Sequence, residues 1–190
     1  MVGCEEYSWF NALIDTATQL MSATYRFRPS TDAVNIAEDT LKQPSGITIS
    51  PDRKTMYISN TGANTGVIDP LLIYSQRHIN ATGKQTVSKY DIVDDGMALV
   101  NRRVIYLAQD WAPDGLKVAA NGVVVSATGN GVDVLDEFRT LIVRIQADHT
   151  VQDFAWAVNK MDGGKLTELW MMGNRGILRA GWALEGQTLK

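Results

Sequence analysis

Cysteine is almost absent from this 190-residue sequence, which contains only Cys4. A single cysteine excludes an internal disulfide and a metal site built from cysteines. Basic residues are not in excess either, since 18 Lys and Arg stand against 21 Asp and Glu, for a net charge of -3. Nucleic-acid binding requires a clustered basic surface. We therefore expect no nucleic-acid partner.

Long hydrophobic runs are also missing. Apolar stretches such as residues 123–125 are far shorter than the roughly 20 residues that a membrane helix needs. Residues 1–6 do not show the basic region followed by an apolar region that is typical of a signal peptide. From these absences we expect no membrane association and a cytoplasmic location.

The sequence does contain many short segments with strand chemistry. Residues 47–50 alternate between apolar and polar, and residues 55–59 do so again after the turn-forming residues 51–54. Helical periodicity is weak, and residues 11–21 are the best candidate for a helix. The other predicted strands are residues 89–92, 103–107, 116–118, 122–126, 132–135, 141–145, 153–156, 166–171 and 176–179. The pattern predicts an all-β protein.

An internal repeat organises these strands. The tetrapeptide that begins at Pro44 recurs at Pro113, each time as Pro-X-Gly followed by an aliphatic residue that opens a strand. In both units a turn, a second strand and a glycine-rich loop follow, and two more strands complete the unit, with an insert at residues 67–84 in the first. Four short antiparallel strands per unit are typical of a β-propeller blade. A β-sandwich is the alternative, which the repeated Pro-X-Gly opening disfavours.

The repeat gives the domain organisation. We predict a single partial propeller domain over residues 1–190, made of a partial blade (1–43), two full blades (44–110 and 113–147) and a last blade (150–190). Closed propellers have typically four to eight blades, so three to four blades form an incomplete ring. Either a partner chain completes the ring, by self-association for example, or the sequence is a fragment.

Three segments carry a resemblance to a known family: residues 43–62, residues 101–104, and residues 112–118 with 129–134. In this order and spacing they resemble the gluconolactonase, regucalcin and fungal lactonohydrolase family. The resemblance covers residues 20–182 and the later part of the family fold. It implies a six-bladed β-propeller with one divalent metal in its central channel, usually Ca²⁺. It also implies hydrolysis of sugar lactones or other cyclic esters as the activity, with such a small molecule as the partner.

The resemblance further implies the site residues. Asp114 matches the metal-binding Asp of the family, which is also the candidate general base. Ser45 occupies the position of a metal-binding Asn, and its hydroxyl is a poorer ligand for a hard cation than an amide oxygen. The Glu and the further Asn that complete the family site would precede Met1, so we expect an impaired metal site. Read without the family, Asp114 in Pro-Asp-Gly is a strong turn former.

Other polar and aromatic candidates are weaker. Asn60, Trp111 and Asn130 are candidate substrate-binding residues, although Trp111 is equally compatible with packing between blades. His78 and His149 lie on loop-like segments without a partner at metal-ligand spacing, so we expect both to be solvated. Three tryptophans fall in or beside strands and are expected in the core. They are Trp156, Trp170 and Trp182.

Three functions remain open from the sequence. The first is a metal-dependent lactonase-like hydrolase, in which Asp114 and Ser45 hold the cation. The second is a metal-free propeller enzyme of fungal secondary-metabolite biosynthesis that catalyses a cyclisation, which the loss of Asn at Ser45 favours. The third is a truncated homologue without catalysis, which the missing blades favour.

Overall fold

The computed structural model describes residues 2–3, 21–65, 78–173 and 175–188. Within these residues the protein is made of β-strands, with one 3-10 turn at Lys160–Asp162. Of the helix predicted for residues 11–21, all but Met21 lies outside the described residues, and Met21 belongs to no helix or strand. No helix among the described residues is long and apolar enough to cross a membrane.

Among the described residues, four antiparallel sheets of three or four strands follow one another along the chain, and a fifth sheet has only two short strands. The first contains β1 (Val2–Gly3), β2 (Ala23–Arg28) and β3 (Ala33–Glu38). The second contains β4 (Pro44–Ile49), β5 (Thr55–Asn60), β8 (Thr86–Val93) and β9 (Ala98–Leu107). The short strands β6 (Asn64–Thr65) and β7 (His78–Ile79) lie in the connection between β5 and β8 and form the separate two-stranded sheet. The third contains β10 (Pro113–Val118), β11 (Val124–Thr128), β12 (Gly131–Leu135) and β13 (Leu141–Gln146). The fourth contains β14 (Val151–Asn159), β15 (Lys165–Gly173) and β16 (Gly176–Gly181).

The sheets pack face to face as propeller blades. Every residue of the central strands β11 and β12 is buried, which requires a neighbouring sheet on each face of the third sheet. One apolar cluster fills the space between the second and third sheets, and another lies between the third and fourth. The first strands β4, β10 and β14 contact one another in series, so they form the inner rim. The fold is a β-propeller with an incomplete ring, as the repeat predicts.

The two terminal sheets have three strands each, whereas the two central sheets have four. In the central blades, the second strand contacts the inner strand of the next blade, as β5 contacts β10 and β11 contacts β14. Because β1 contacts β4 in the same way, β1 takes the second position of its blade. Each terminal sheet leaves one apolar face exposed, and we call these the end faces. The first end face contains Phe27, Val34 and Ile36, and the last contains Trp170, Met172 and Ile177. The division of residues 1–190 into four blades within one domain stays a prediction.

Strand register brings the start of each inner strand to one common end of the sheets. Pro44 pairs with Asn60, and Asn60 pairs with Thr86, in the second sheet. Pro113 pairs with Thr128 in the third sheet, where β11 and β12 meet at a tight turn. Because antiparallel strands alternate in direction, the loops that enter β4, β10 and β14 all lie at this end. We call it the site end.

Candidate active site

Ser45 and Asp114 meet at the site end, on neighbouring inner strands. The Ser45 hydroxyl donates a hydrogen bond to Asp114 Oδ1, and both residues are half-buried. Each residue lies in an irregularity of its strand, where the register shifts between Pro44 and Ile47 and between Pro113 and Leu116. Such bulges re-aim side chains and are common next to active sites. The structure thus joins the two metal-site candidates that the sequence predicted.

Glycine allows the inner strands to approach this closely. A Cβ added to Gly46 would lie 2.2 Å from the carbonyl oxygen of Asp114. A Cβ added to Gly115 would lie 2.2 Å from Asp153 Oδ1 on the next inner strand. These distances are shorter than any non-bonded contact allows. The Pro-X-Gly repeat therefore reflects the packing of one blade against the next.

Ser59 links the two inner strands from behind. The Gly46 amide donates to Ser59 Oγ at 2.6 Å, and Ser59 Oγ donates to the Asp114 carbonyl at 2.8 Å. The Ser59 side chain is fully buried at the end of β5. Sequence reasoning missed this residue, because a serine in a strand gives no sign of its partners. The repeat in the sequence aligns Ser59 with Ser126, and only the strand register shows that Ala127 holds the equivalent position in the next blade.

The three substrate-binding candidates lie near the site end but differ in exposure. Asn60 is fully buried, and its Oδ1 accepts hydrogen bonds from the amides of Gly62 at 3.0 Å and Gln43 at 3.4 Å. Trp111 is half-buried against Gly129, whereas Asn130 is exposed in the turn between β11 and β12. Asn60 therefore has its amide nitrogen left for other contacts. The substrate-binding role of all three stays a prediction.

A buried carboxylate lies further out in the third blade. Asp133 is fully buried and accepts hydrogen bonds from Tyr106 at 2.5 Å, Thr128 at 2.9 Å and the Arg144 guanidinium at 2.5 and 2.9 Å. Arg144 also pairs with Asp110 at 2.5 Å. Burial, and then the bond to Asp133, raises the pKa of Tyr106, while the same carboxylate raises the pKa of Arg144. Both oxygens of Asp133 accept hydrogen bonds from neighbouring side chains, so the network stabilises the blade.

The two histidines differ from each other. His78 is exposed, as predicted. The prediction for His149 is wrong, because only 3% of its side chain is exposed and its Nδ1 lies 2.7 Å from Asp148 Oδ1. Its ring packs against Gly173 at the end of β15. Of the tryptophans, Trp156 and Trp182 pack against the core between the third and fourth sheets, whereas Trp170 lies on the last end face.

The donor set supplies only part of a calcium site. Asp114 and Ser45 offer a carboxylate and a hydroxyl side by side, which are hard oxygen donors of the kind that Ca²⁺ prefers. Calcium takes six to eight oxygens. The described part of the chain has no group of three His, Cys, Asp or Glu side chains that could hold a metal ion. The two residues therefore fit a calcium shell that other donors must complete.

Comparison with known proteins places this geometry in context. No family model matches the sequence. Two lactonohydrolases from Aspergillus oryzae, oryL and oryH, are each 44% identical to it, over 173 and 178 residues. These matches cover 90% and 92% of the chain. The chain is a relative of the lactonohydrolases. It spans 38% and 37% of the length of these two curated relatives.

Solved structures give the same fold for this lactonohydrolase relative. A gluconolactonase from Xanthomonas campestris matches 88% of the chain with a TM-score of 0.67 and 23% identity, and the match covers 47% of that protein. A calcium-binding regucalcin from Agrobacterium tumefaciens matches 86% of the chain with a TM-score of 0.64 and 15% identity, over 53% of its own length. The resemblance found in the sequence is confirmed, as is the propeller fold. The chain corresponds to about half of these propellers.

Proposed function

We propose that this chain contributes one side of a lactonase site that hydrolyses sugar lactones or other cyclic esters with the help of a divalent cation, Ca²⁺. The observation that carries the proposal is the contact between Ser45 and Asp114 on neighbouring inner strands. The identity of 44% to two lactonohydrolases over most of the chain supports it. A cytoplasmic location and the absence of membrane and nucleic-acid partners stay predictions.

Asp114 has the central role in this proposal. Its carboxylate would accept the proton of the water that attacks the lactone carbonyl, because it is an ionisable base at the inner rim. Asp114 and Ser45 would also hold the cation, which polarises the lactone carbonyl when bound. The Ser45 hydroxyl orients the carboxylate by its hydrogen bond. Trp111 and Asn130 would contact the ring of the substrate, whereas Asn60 is fully buried and would support the site from within the blade.

Two substitutions test the proposal. Asp114→Ala should abolish calcium binding measured by titration calorimetry, and should lower the hydrolysis of glucono-δ-lactone at least a hundredfold, as expected for the loss of a general base. Ser45→Asn should tighten calcium binding, because an amide oxygen reaches further and is the stronger acceptor. Glu137→Ala is the matched control, since it removes an exposed carboxylate from the turn after β12. Unchanged turnover in Asp114→Ala would refute the proposal.

A metal-free enzyme is the second candidate, and one contact favours it. The Ser45 hydroxyl already satisfies one oxygen of Asp114, so the carboxylate has a partner without a cation. A shaped channel can orient a substrate for cyclisation by proximity alone. Thermal melting with calcium and with a chelator separates the two candidates. A melting temperature that calcium does not change would favour the metal-free enzyme or a chain without catalysis.

A further inference from the structure

We infer that Ser59 is a positioning residue that fixes Asp114 and Ser45 relative to each other, and so sets the geometry of the active site. This inference rests on the proposed function for its consequences in catalysis. Its structural basis is independent of that function, because the contacts of Ser59 are defined by the fold. Ser59 lies behind the site, so its effect acts through Asp114 and Ser45.

The hydrogen bonds of Ser59 hold both strands that carry the site. The Gly46 amide, next to Ser45, donates to Ser59 Oγ at 2.6 Å. The hydroxyl proton goes to the Asp114 carbonyl at 2.8 Å, since the Gly46 carbonyl is more distant at 3.4 Å. One hydroxyl thus bridges the backbone of β4 to the backbone of β10. The Ser59 side chain is fully buried and its two hydrogen bonds are part-buried, which limits the competition from water.

The bridge supports a local irregularity that regular strand pairing does not hold. Residues 45 and 46 are the two bulge residues opposite Ser59, because Pro44 pairs with Asn60 and Ile47 pairs with Ile58. The Gly46 amide therefore depends on the Ser59 hydroxyl for a partner. Without that hydroxyl, the Gly46 amide loses its acceptor and the Asp114 carbonyl loses one donor. The cost of an unpaired buried group then favours a shift of the bulge.

The next blade provides an internal comparison. Its bulge contains Asp114 and Gly115, and the residue opposite them is Ala127, because Pro113 pairs with Thr128 and Leu116 pairs with Ser126. Ala127 is as buried as Ser59. The blade architecture therefore accepts alanine at this position. The hydroxyl is therefore present where β4 meets β10, which is where Ser45 contacts Asp114, and it is absent where β10 meets β14. This difference indicates that the hydroxyl has a role in the site.

The experiment compares Ser59→Ala with Ser59→Thr and Ser126→Ala in the intact chain. Ser126 is an equally buried serine on β11 whose hydroxyl makes only a 3.4 Å contact to a neighbouring carbonyl. It therefore controls for the loss of any buried hydroxyl. The first readout is structural: nuclear Overhauser contacts between residues 45 and 114, and the hydrogen exchange rate of the Gly46 amide. The second readout is calcium affinity, and the third is kcat and KM for glucono-δ-lactone.

We expect Ser59→Ala to lose the contacts between residues 45 and 114 and to expose the Gly46 amide to exchange, whereas Ser126→Ala keeps both. Calcium affinity should fall about tenfold in Ser59→Ala, because Asp114 and Ser45 no longer face the cation together. At saturating calcium, kcat should also fall about tenfold with KM changed less than twofold, because the variant misplaces the general base and leaves the substrate contacts in place. Ser59→Thr, which keeps the hydroxyl, should retain them. If threonine does not fit, the alanine pair alone decides.

Two failures are distinguishable. If Ser59→Ala keeps the contacts between residues 45 and 114 and the protection of the Gly46 amide, the positioning role is refuted whatever the activity. If Ser59→Ala and Ser126→Ala lower kcat equally, the role is refuted as well. If the parent chain neither binds calcium nor hydrolyses the lactone, the proposed function fails. The structural readout then still decides whether Ser59 positions the pair.

Discussion

At the scale of single residues, Asp133 is a buried carboxylate whose interactions hold the third sheet together. It is fully buried and receives four hydrogen bonds from three side chains, including two from Arg144. A buried carboxylate is tolerated only when it is paired and hydrogen-bonded. Since the Arg144 side chain is 24% exposed and also pairs with Asp110, it bridges the blade interior to the surface.

Replacing Asp133 with Asn should destabilise the fold by about 2–3 kcal/mol, because it removes the charge that compensates Arg144 in a buried place. Urea unfolding measures the change. Asp91→Asn is the control, since Asp91 pairs with Arg103 at the surface, where 33% and 50% of the two side chains are exposed, and exposed pairs contribute little to stability. Equal effects of the two substitutions would contradict the structural role of Asp133.

Residue roles divide into those that sequence can predict and those that it cannot. Ser45 and Asp114 were predicted from their family positions as ligands of one metal, and the structure brings them into contact, while their role stays a prediction. Ser59 was not predicted, because its partners belong to two other strands and only the packing of blades brings them together. The burial of His149 was predicted wrongly, because a loop position in the sequence does not reveal the neighbouring sheet that covers it.

At the scale of elements, the inner strands are spaced by glycine. Gly46 lets the backbone of β4 approach the backbone of β10, and Gly115 lets β10 approach the Asp153 carboxylate on β14. The strands themselves were predictable, because alternation and turn residues are local signals. The register shifts that place Ser45 and Asp114 were not, because a bulge depends on the opposite strand. The short strands β6, just before the predicted insert, and β7, within it, were missed for the same reason.

Gly46→Ala should therefore act on both stability and site. The new Cβ would lie 2.2 Å from the Asp114 carbonyl oxygen and 2.7 Å from the Leu116 amide, so β4 and β10 must separate. We expect a loss of about 1–3 kcal/mol, as for other overpacked positions, together with weaker calcium binding. Gly181→Ala is the control, since a Cβ there meets nothing within 4 Å. Calorimetric melting and calcium titration of the two variants test this.

At the scale of the whole molecule, the two end faces have the character of an interface. The first exposes Phe27 by 49%, Val34 by 61% and Ile36 by 51%. The last exposes Trp170 by 39% and Ile177 by 62%. Inner faces of the same kind are buried between sheets in the rest of the molecule. In a closed propeller such faces pack against the next blade, so their exposure follows from the incomplete ring.

We predict that the chain self-associates through its end faces, because contiguous exposed apolar patches associate. Sedimentation velocity should show oligomers whose fraction rises with concentration, and Ile177→Lys should shift the distribution towards monomer. Met161→Lys is the control, because Met161 is 99% exposed at a turn away from both faces. A parent chain that stays monomeric and melts cooperatively above about 60 °C would contradict this prediction.

The contact between Ser45 and Asp114 has a further consequence for how the protein folds. The two residues are 69 positions apart in the chain, whereas neighbouring strands within each sheet are joined mostly by short turns. Closing a long loop costs more conformational entropy than closing a hairpin, and distant contacts form more slowly. Individual sheets can therefore form before the site exists. We therefore expect the contact between Ser45 and Asp114 to form late, when sheets that have already folded pack against each other.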